Sequence, residues 1–365
     1  MNDTKKPKNY PPVSYADYLR TASLLELQKT RSAEFGDEAH EEMLFIIVHQ
    51  TYELWFRQIL HEINSILAMF ARDLVREEDM GTVVSRLSRI VEIQRLLVDQ
   101  VSVIETMTPL DFLDFRNMLY PASGFQSTQW RLIENKLGLK ATNRLKYNGL
   151  PYHMSVAPKE AELLIKSENE PSLFDAVDAW LARTPFLQTD DYDFNTHYRD
   201  AVRSMLSEDK ETIQRFAKSD EERERGFKQI EDTGRVFESL FDANLYKELQ
   251  EKGTFRLQHK AIQAALLILL YRDQPAFNLP FQLLTRLQDI DELMTTWRYR
   301  HSLMAHRMLG SKIGTGGSSG HSYLKSATDA HRVFGDFFNL ATFLIPRSSL
   351  PKLPDSLTRR LGFHP

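Results

Sequence analysis

Apolar residues in this chain recur at intervals of three and four over stretches much longer than a strand, and that spacing restricts it to helices. Residues 41–70, EEMLFIIVHQTYELWFRQILHEINSILAMF, are apolar over most of a helical surface. The FIIV start has strand character, but the pattern continues well beyond the roughly five or six residues usual for a strand. Residues 81–107 place Val84, Leu87, Val91, Leu97 and Val101 at helical intervals. Residues 283–309 and 322–345 read as further helices, and 209–247, rich in Lys, Arg, Asp and Glu, reads as a helix with a solvated face. No run of alternating residues argues for a sheet. The expected fold is all-α, a helical bundle.

The breaks are few. Residues 1–14 read as a mobile arm, 15–347 as one helical domain and 348–365 as a C-terminal tail. YPASG (120–124) reads as a sharp turn, and KYNGLPYH (146–153) opens a more polar region, a helical insertion over about 150–210.

Composition excludes several functions. With 365 residues, 42% of them hydrophobic, the chain can bury a sizeable core. A formal charge of −4 argues against a nucleic-acid or anionic-membrane binder. AIQAALLILLY is shorter than the roughly 18 apolar residues of a membrane span. The polar start MNDTKKPKNYPP lacks a signal-peptide core, so a cytoplasmic location is expected. With no cysteine there is no disulfide, thiolate nucleophile or zinc-finger site.

Two helical faces carry a histidine. Phe45, His49, Tyr52 and Phe56 share one face of a helix, an aromatic stripe with one titratable group. It is either a core histidine bonded to a backbone carbonyl or the polar handle of a pocket for a flat ligand. Trp297, His301, Met304 and Met308 share another face, which suits either a packed histidine or a haem ligand; His306 points elsewhere. Neither H-E-x-x-H nor E-x-x-H occurs, so zincin and di-iron bundle signatures are missing. Arg116, among Phe112, Phe115 and Leu119, either pairs with Asp111 or Asp114, lies exposed, or offers its fork to a carboxylate.

GSKIGTGGSSGHSYL (310–324) matches neither common phosphate loop: Lys312 precedes the main glycine run, and the sixth position from Gly314 is Ser319. Its glycines allow close backbone approach, and Thr315, Ser318 and Ser319 offer hydroxyls to an anion or an ammonium.

Taken together, FIIVHQTYELWFRQILHEI, TPLDFLDFRNMLYPASGFQS, FNLPFQLLTRLQDIDELMTTWRYRHSLMAHRMLGSKIGTGGSSG and FGDFFNLATFLIP closely resemble the tryptophan 2,3-dioxygenase family, over about residues 15–347. The resemblance implies an all-α homotetramer with haem b, ferrous when active, that inserts both atoms of O2 across the indole C2–C3 bond of L-tryptophan to give N-formylkynurenine. It makes His301 the axial iron ligand, with Trp297, Ser123 and Gly124 beside the cofactor. His49 becomes the distal histidine near the indole N–H, and Phe45, Phe115 and Leu119 the indole walls. Arg116 would take the substrate carboxylate and Thr315 the ammonium, while Tyr15 and Tyr18 would reach a neighbouring subunit's site. His321 after the loop and Tyr120 depart from the usual pattern and bear on substrate preference. A haem monooxygenase of substituted tryptophan and a non-catalytic haem or tryptophan sensor are the alternatives on the same scaffold.

Overall fold

A computed structural model describes residues 10–72, 75–145, 151–310, 312 and 320–362. The arm expected over 1–14 is therefore described only from Tyr10, which begins an exposed stretch leading to Ser14. Ser14 then caps α1 (Tyr15–Leu19) by accepting from the Asp17 N–H, and α2 (Thr21–Leu25) and α3 (Arg31–Glu34) follow. Neither α1 nor α2 buries a residue, although Tyr15, Tyr18 and Leu25 are large and apolar.

The long stripes fold as their spacing predicts. α4 (Glu41–Phe70) buries Ile59, Ile63 and Ile66, and α5 (Glu77–Ile104) lies against it with Leu87, Ile90 and Val91. Each such fully buried side chain contributes about 1.5–3 kcal/mol. α6 (Pro109–Arg116) starts at a reciprocal cap between Thr108 and Asp111, with Pro109 in the first turn. The turn at 120–124 contains a cis Tyr120–Pro121 peptide and leads to α7 (Thr128–Leu137), which stops at Gly138 with φ +119°.

Residues 150–210 supply α8 (Pro158–Asn169), α9 (Leu173–Leu181) and the start of α10 (Phe194–Phe216). Leu173, Phe174, Val177 and Leu181 of α9 sit in the same core as α4 and α5. A two-residue antiparallel pair, β1 (Gln188–Thr189) with β2 (Tyr192–Asp193), is the sole strand pairing among the described residues.

The expected helix over 209–247 is in fact three: α10, α11 (Asp220–Glu238) and α12 (Ala243–Glu251). Ser219 and Asp242 break it, because each side chain accepts from the first N–H groups of the helix that follows. α13 (His259–Leu270) is buried almost all round, and α14 (Pro275–Leu309), longer than the expected 283–309, packs along α5.

The expected helix over 322–345 is likewise divided, into α15 (Gly320–Ala330) and α16 (Gly335–Asn339). Asp291 of α14 draws the intervening turn inward by accepting from the Val333 N–H at 2.8 Å. α17 (Asp355–Leu361) returns Leu357 and Leu361 of the C-terminal tail to the core. Among the described residues no helix is long and apolar enough to cross a membrane.

Candidate active site

α4 and α14 turn their two histidine-bearing stripes toward one cavity of about 300 Å³. Phe45, His49, Tyr52 and Phe56 line it from α4, and Trp297, His301, Met304 and Met308 from α14. Ser123 and Gly124 border it from the cis-proline turn, and Leu324 and Ala327 from α15. Glu53 fixes that turn and the start of α7, accepting from the Ser127 hydroxyl at 2.6 Å and the Gln129 amide at 2.8 Å.

The His49 Nδ1 lies 2.7 Å from the Phe45 carbonyl. A carbonyl cannot donate, so in the neutral ring Nδ1 carries the proton and Nε2 is left as an acceptor. Much of the ring is accessible, but the space it opens onto is the cavity rather than bulk water. Burial among protein atoms accordingly lowers its pKa, against the opposing pull of the Phe45 carbonyl and Glu53. The core histidine and the pocket handle are one residue here.

Burial, with His49 facing it, pushes His301 down to about 4, so it is neutral at physiological pH. Its Nδ1 and the Trp297 Nε1 one turn earlier are buried with no hydrogen-bond partner. An orphaned neutral imidazole on a Met-rich wall, opposite a second neutral imidazole, fits an axial ligand of a flat iron porphyrin. Among the described residues no group of three or more His, Asp or Glu is arranged to hold a metal ion.

One end of the cavity is charged. Glu134 is fully buried and accepts from Arg131 at 3.0 Å, Arg144 at 2.5 Å and Arg298 at 2.9 Å. Burial raises its pKa, but Arg144, Arg131 and Arg298 outweigh that and hold it well below the usual carboxylate range. Three guanidiniums thus share one carboxylate, and two of them, Arg131 and Arg298, line the cavity with Glu134. The Nε atoms of Arg131 and Arg144 have no hydrogen-bond partner. Guanidiniums at the cavity wall suit the propionates of a haem.

His331, beside Glu134, is neutral, pushed to about 4 chiefly by burial, and its Nε2 accepts from the Leu145 N–H at 3.1 Å. An unfolded imidazole titrates near 6.5. Between those pH values the unfolded chain binds a proton that the folded chain does not, so His331 contributes stability above the window that is lost as pH falls through it. The urea midpoint should fall from about pH 7 to 5, less steeply in His331→Gln. Equal slopes would remove His331 from the account.

The other expected site residues lie at varying distances from the cavity. Phe115 is fully buried behind the wall, its ring 5.6 Å from that of Phe45, and Leu119 packs on the same small cluster with Met107 and Met308. Arg116, half-buried at the end of α6, is not part of the lining, and His306 is exposed. Tyr15 and Tyr18 are 77% and 75% exposed, away from the cavity of their own chain. Thr315, Ser318 and Ser319 lie outside the described residues. Spacing missed Glu53, Arg131, Glu134, Arg298 and His331, all of which line the cavity.

A family model described as tryptophan 2,3-dioxygenase matches residues 3–344. The tryptophan 2,3-dioxygenase of Bdellovibrio bacteriovorus is 54% identical over 356 residues, 97% of this chain and 99% of that protein. Those of Alteromonas mediterranea and Dictyostelium discoideum are 49% and 47% identical, covering 98% and 96% of this chain and 99% and 88% of theirs. With the stripes, the cavity and the charged end all on matched residues, the chain belongs to the tryptophan 2,3-dioxygenase family.

Proposed function

We propose that the chain cleaves the indole C2–C3 bond of L-tryptophan with O2, giving N-formylkynurenine, and holds haem b in the cavity between α4 and α14. The observation that carries this reading is the pair of neutral imidazoles, His49 and His301, facing each other in an aromatic cavity that Arg131 and Arg298 also line. His301 would hold the haem iron, with Trp297, Ser123 and Gly124 bordering the cofactor. When bound and ferrous, haem supplies the activation of O2.

The chain's own residues bind and orient the substrate. Phe45, backed by Phe115 and Leu119, walls the indole plane, and its ring neighbour His49 offers Nε2 to the indole N–H. Indole N–H is a very weak acid, so His49 positions the ring and need not remove the proton. Arg116 takes the carboxylate as a two-pronged partner and Thr315 the ammonium. A site with a planar fork for the carboxylate and a hydroxyl for the ammonium selects an α-amino acid.

The test is the product. Haem-loaded, reduced protein given L-tryptophan and O2 should yield N-formylkynurenine with two added oxygen atoms. A ferrous sample that binds tryptophan and forms none overturns the reading, and one added oxygen would indicate a monooxygenase.

The same reading makes the protein a cytoplasmic homotetramer in which Tyr15 and Tyr18 complete a neighbour's site. Their exposure on helices that bury nothing in their own chain supports this. Tyr15→Ala should then lower kcat without displacing haem. Full activity in a demonstrated monomer would contradict the shared site.

A further inference from the structure

The buried carboxylate at the charged end does more than balance arginines. Its partners come from three places: Arg131 on its own helix α7, Arg144 beyond that helix, and Arg298 on α14. Arg298 spans two of these groups, donating Nη2 to Glu134 and Nη1 to the His331 carbonyl at 3.0 Å, just past the end of α15. Its side chain is 4% exposed and that of Glu134 1%. A carboxylate with three guanidiniums on it has one position available, because any movement strands a buried charge.

Arg298 lies one turn before His301. Residues three apart on a helix are separated by about 60° around its axis, so whatever fixes Arg298 in rotation also fixes the direction of His301. Trp297, about 40° from His301, is held in turn by Trp130 of α7, ring to ring at 4.5 Å. The turn 297–301 is therefore gripped by α7 through two adjacent side chains. Buried ion clusters are poor sources of net stability compared with apolar packing, so specifying one arrangement accounts for this one better than stability does.

We propose that Glu134, acting through Arg298, is a positioning residue that sets the rotation of α14 and so aims the His301 imidazole into the cavity. The inference rests on the haem reading above, and it is tested by Glu134→Gln and Arg298→Lys. Tyr198→Phe serves as the control: it removes a different buried hydrogen bond, to the Phe343 carbonyl, away from the cavity. Two measurements apply: the iron–imidazole stretching band of the ferrous protein by resonance Raman, and amide hydrogen exchange across residues 297–302.

In both test variants the band should shift and broaden, and exchange across the turn should quicken. Haem release should rise about 10-fold or more, the scale for losing an outer partner of a metal ligand. kcat should fall while KM for tryptophan holds. The control should keep the wild-type band even if it melts earlier. An unchanged band and unchanged exchange in folded Glu134→Gln and Arg298→Lys would overturn the proposal. A wild-type chain that takes up no haem would defeat the haem reading alone, because exchange across 297–302 still decides the positioning role.

Discussion

His301→Ala is expected to give a folded, helical protein that no longer retains haem. The proposed role makes this imidazole the protein's bond to iron, so the loss should exceed the roughly 10–100-fold that follows removal of an outer partner. Folding should survive, because the Nδ1 is buried without a hydrogen-bond partner and its removal leaves no other polar group stranded. The haem-free variant should therefore melt no lower than the haem-free wild type, apart from the small cavity left behind. Absorption spectroscopy and thermal melting read the two effects separately. A normal Soret band at wild-type haem occupancy would refute the axial role, and collapse of the helical signal would show that the residue is structural.

Arg116→Ala should weaken tryptophan binding by about 2–5 kcal/mol, the range for truncating one member of a buried charge pair. That corresponds to about thirty-fold to several-thousand-fold in affinity. Arg116 closes α6 directly after Phe115, whose ring backs the proposed indole wall. The informative comparison is with tryptamine, which has the indole and the ammonium but no carboxylate. The wild type should prefer tryptophan strongly, and Arg116→Ala should lose most of that preference while its tryptamine affinity changes little. Arg116→Lys keeps the charge without the fork and should fall between. If Arg116→Ala discriminates the two ligands as well as the wild type does, the carboxylate partner lies elsewhere.

The two histidine faces were legible because a cavity wall built on a helix uses the same three-and-four spacing as a packed face. Phe45, His49, Tyr52 and Phe56 all line the cavity, as do Trp297, His301, Met304 and Met308. The helix breaks at Ser219 and Asp242 were illegible from charge patterning, because a solvated surface looks the same on one helix as on three. Their capping residues were the available signal.

The Glu134 cluster was hidden for a different reason. Glu134 does stand on the apolar face of α7 with Trp130, Ile133 and Leu137, a charge in the wrong place that spacing can flag. The partners at 144, 298 and 331 meet it through tertiary structure alone. Spacing gave Arg116 as one of several open readings, and the family resemblance supplied its proposed partner.

The link from Arg298 to Glu134 joins positions 164 residues apart, and that from Leu145 to His331 spans 186. As the chain is made, Glu134 emerges early with Arg131 and Arg144 near at hand, while the other anchors come from its final fifth. Contacts of such long sequence separation close late. A nascent chain that ends before Arg298 lacks both His301 and the Arg298–Glu134 link. On the proposed reading, the prosthetic group would therefore be captured only after about four-fifths of the polypeptide has been made.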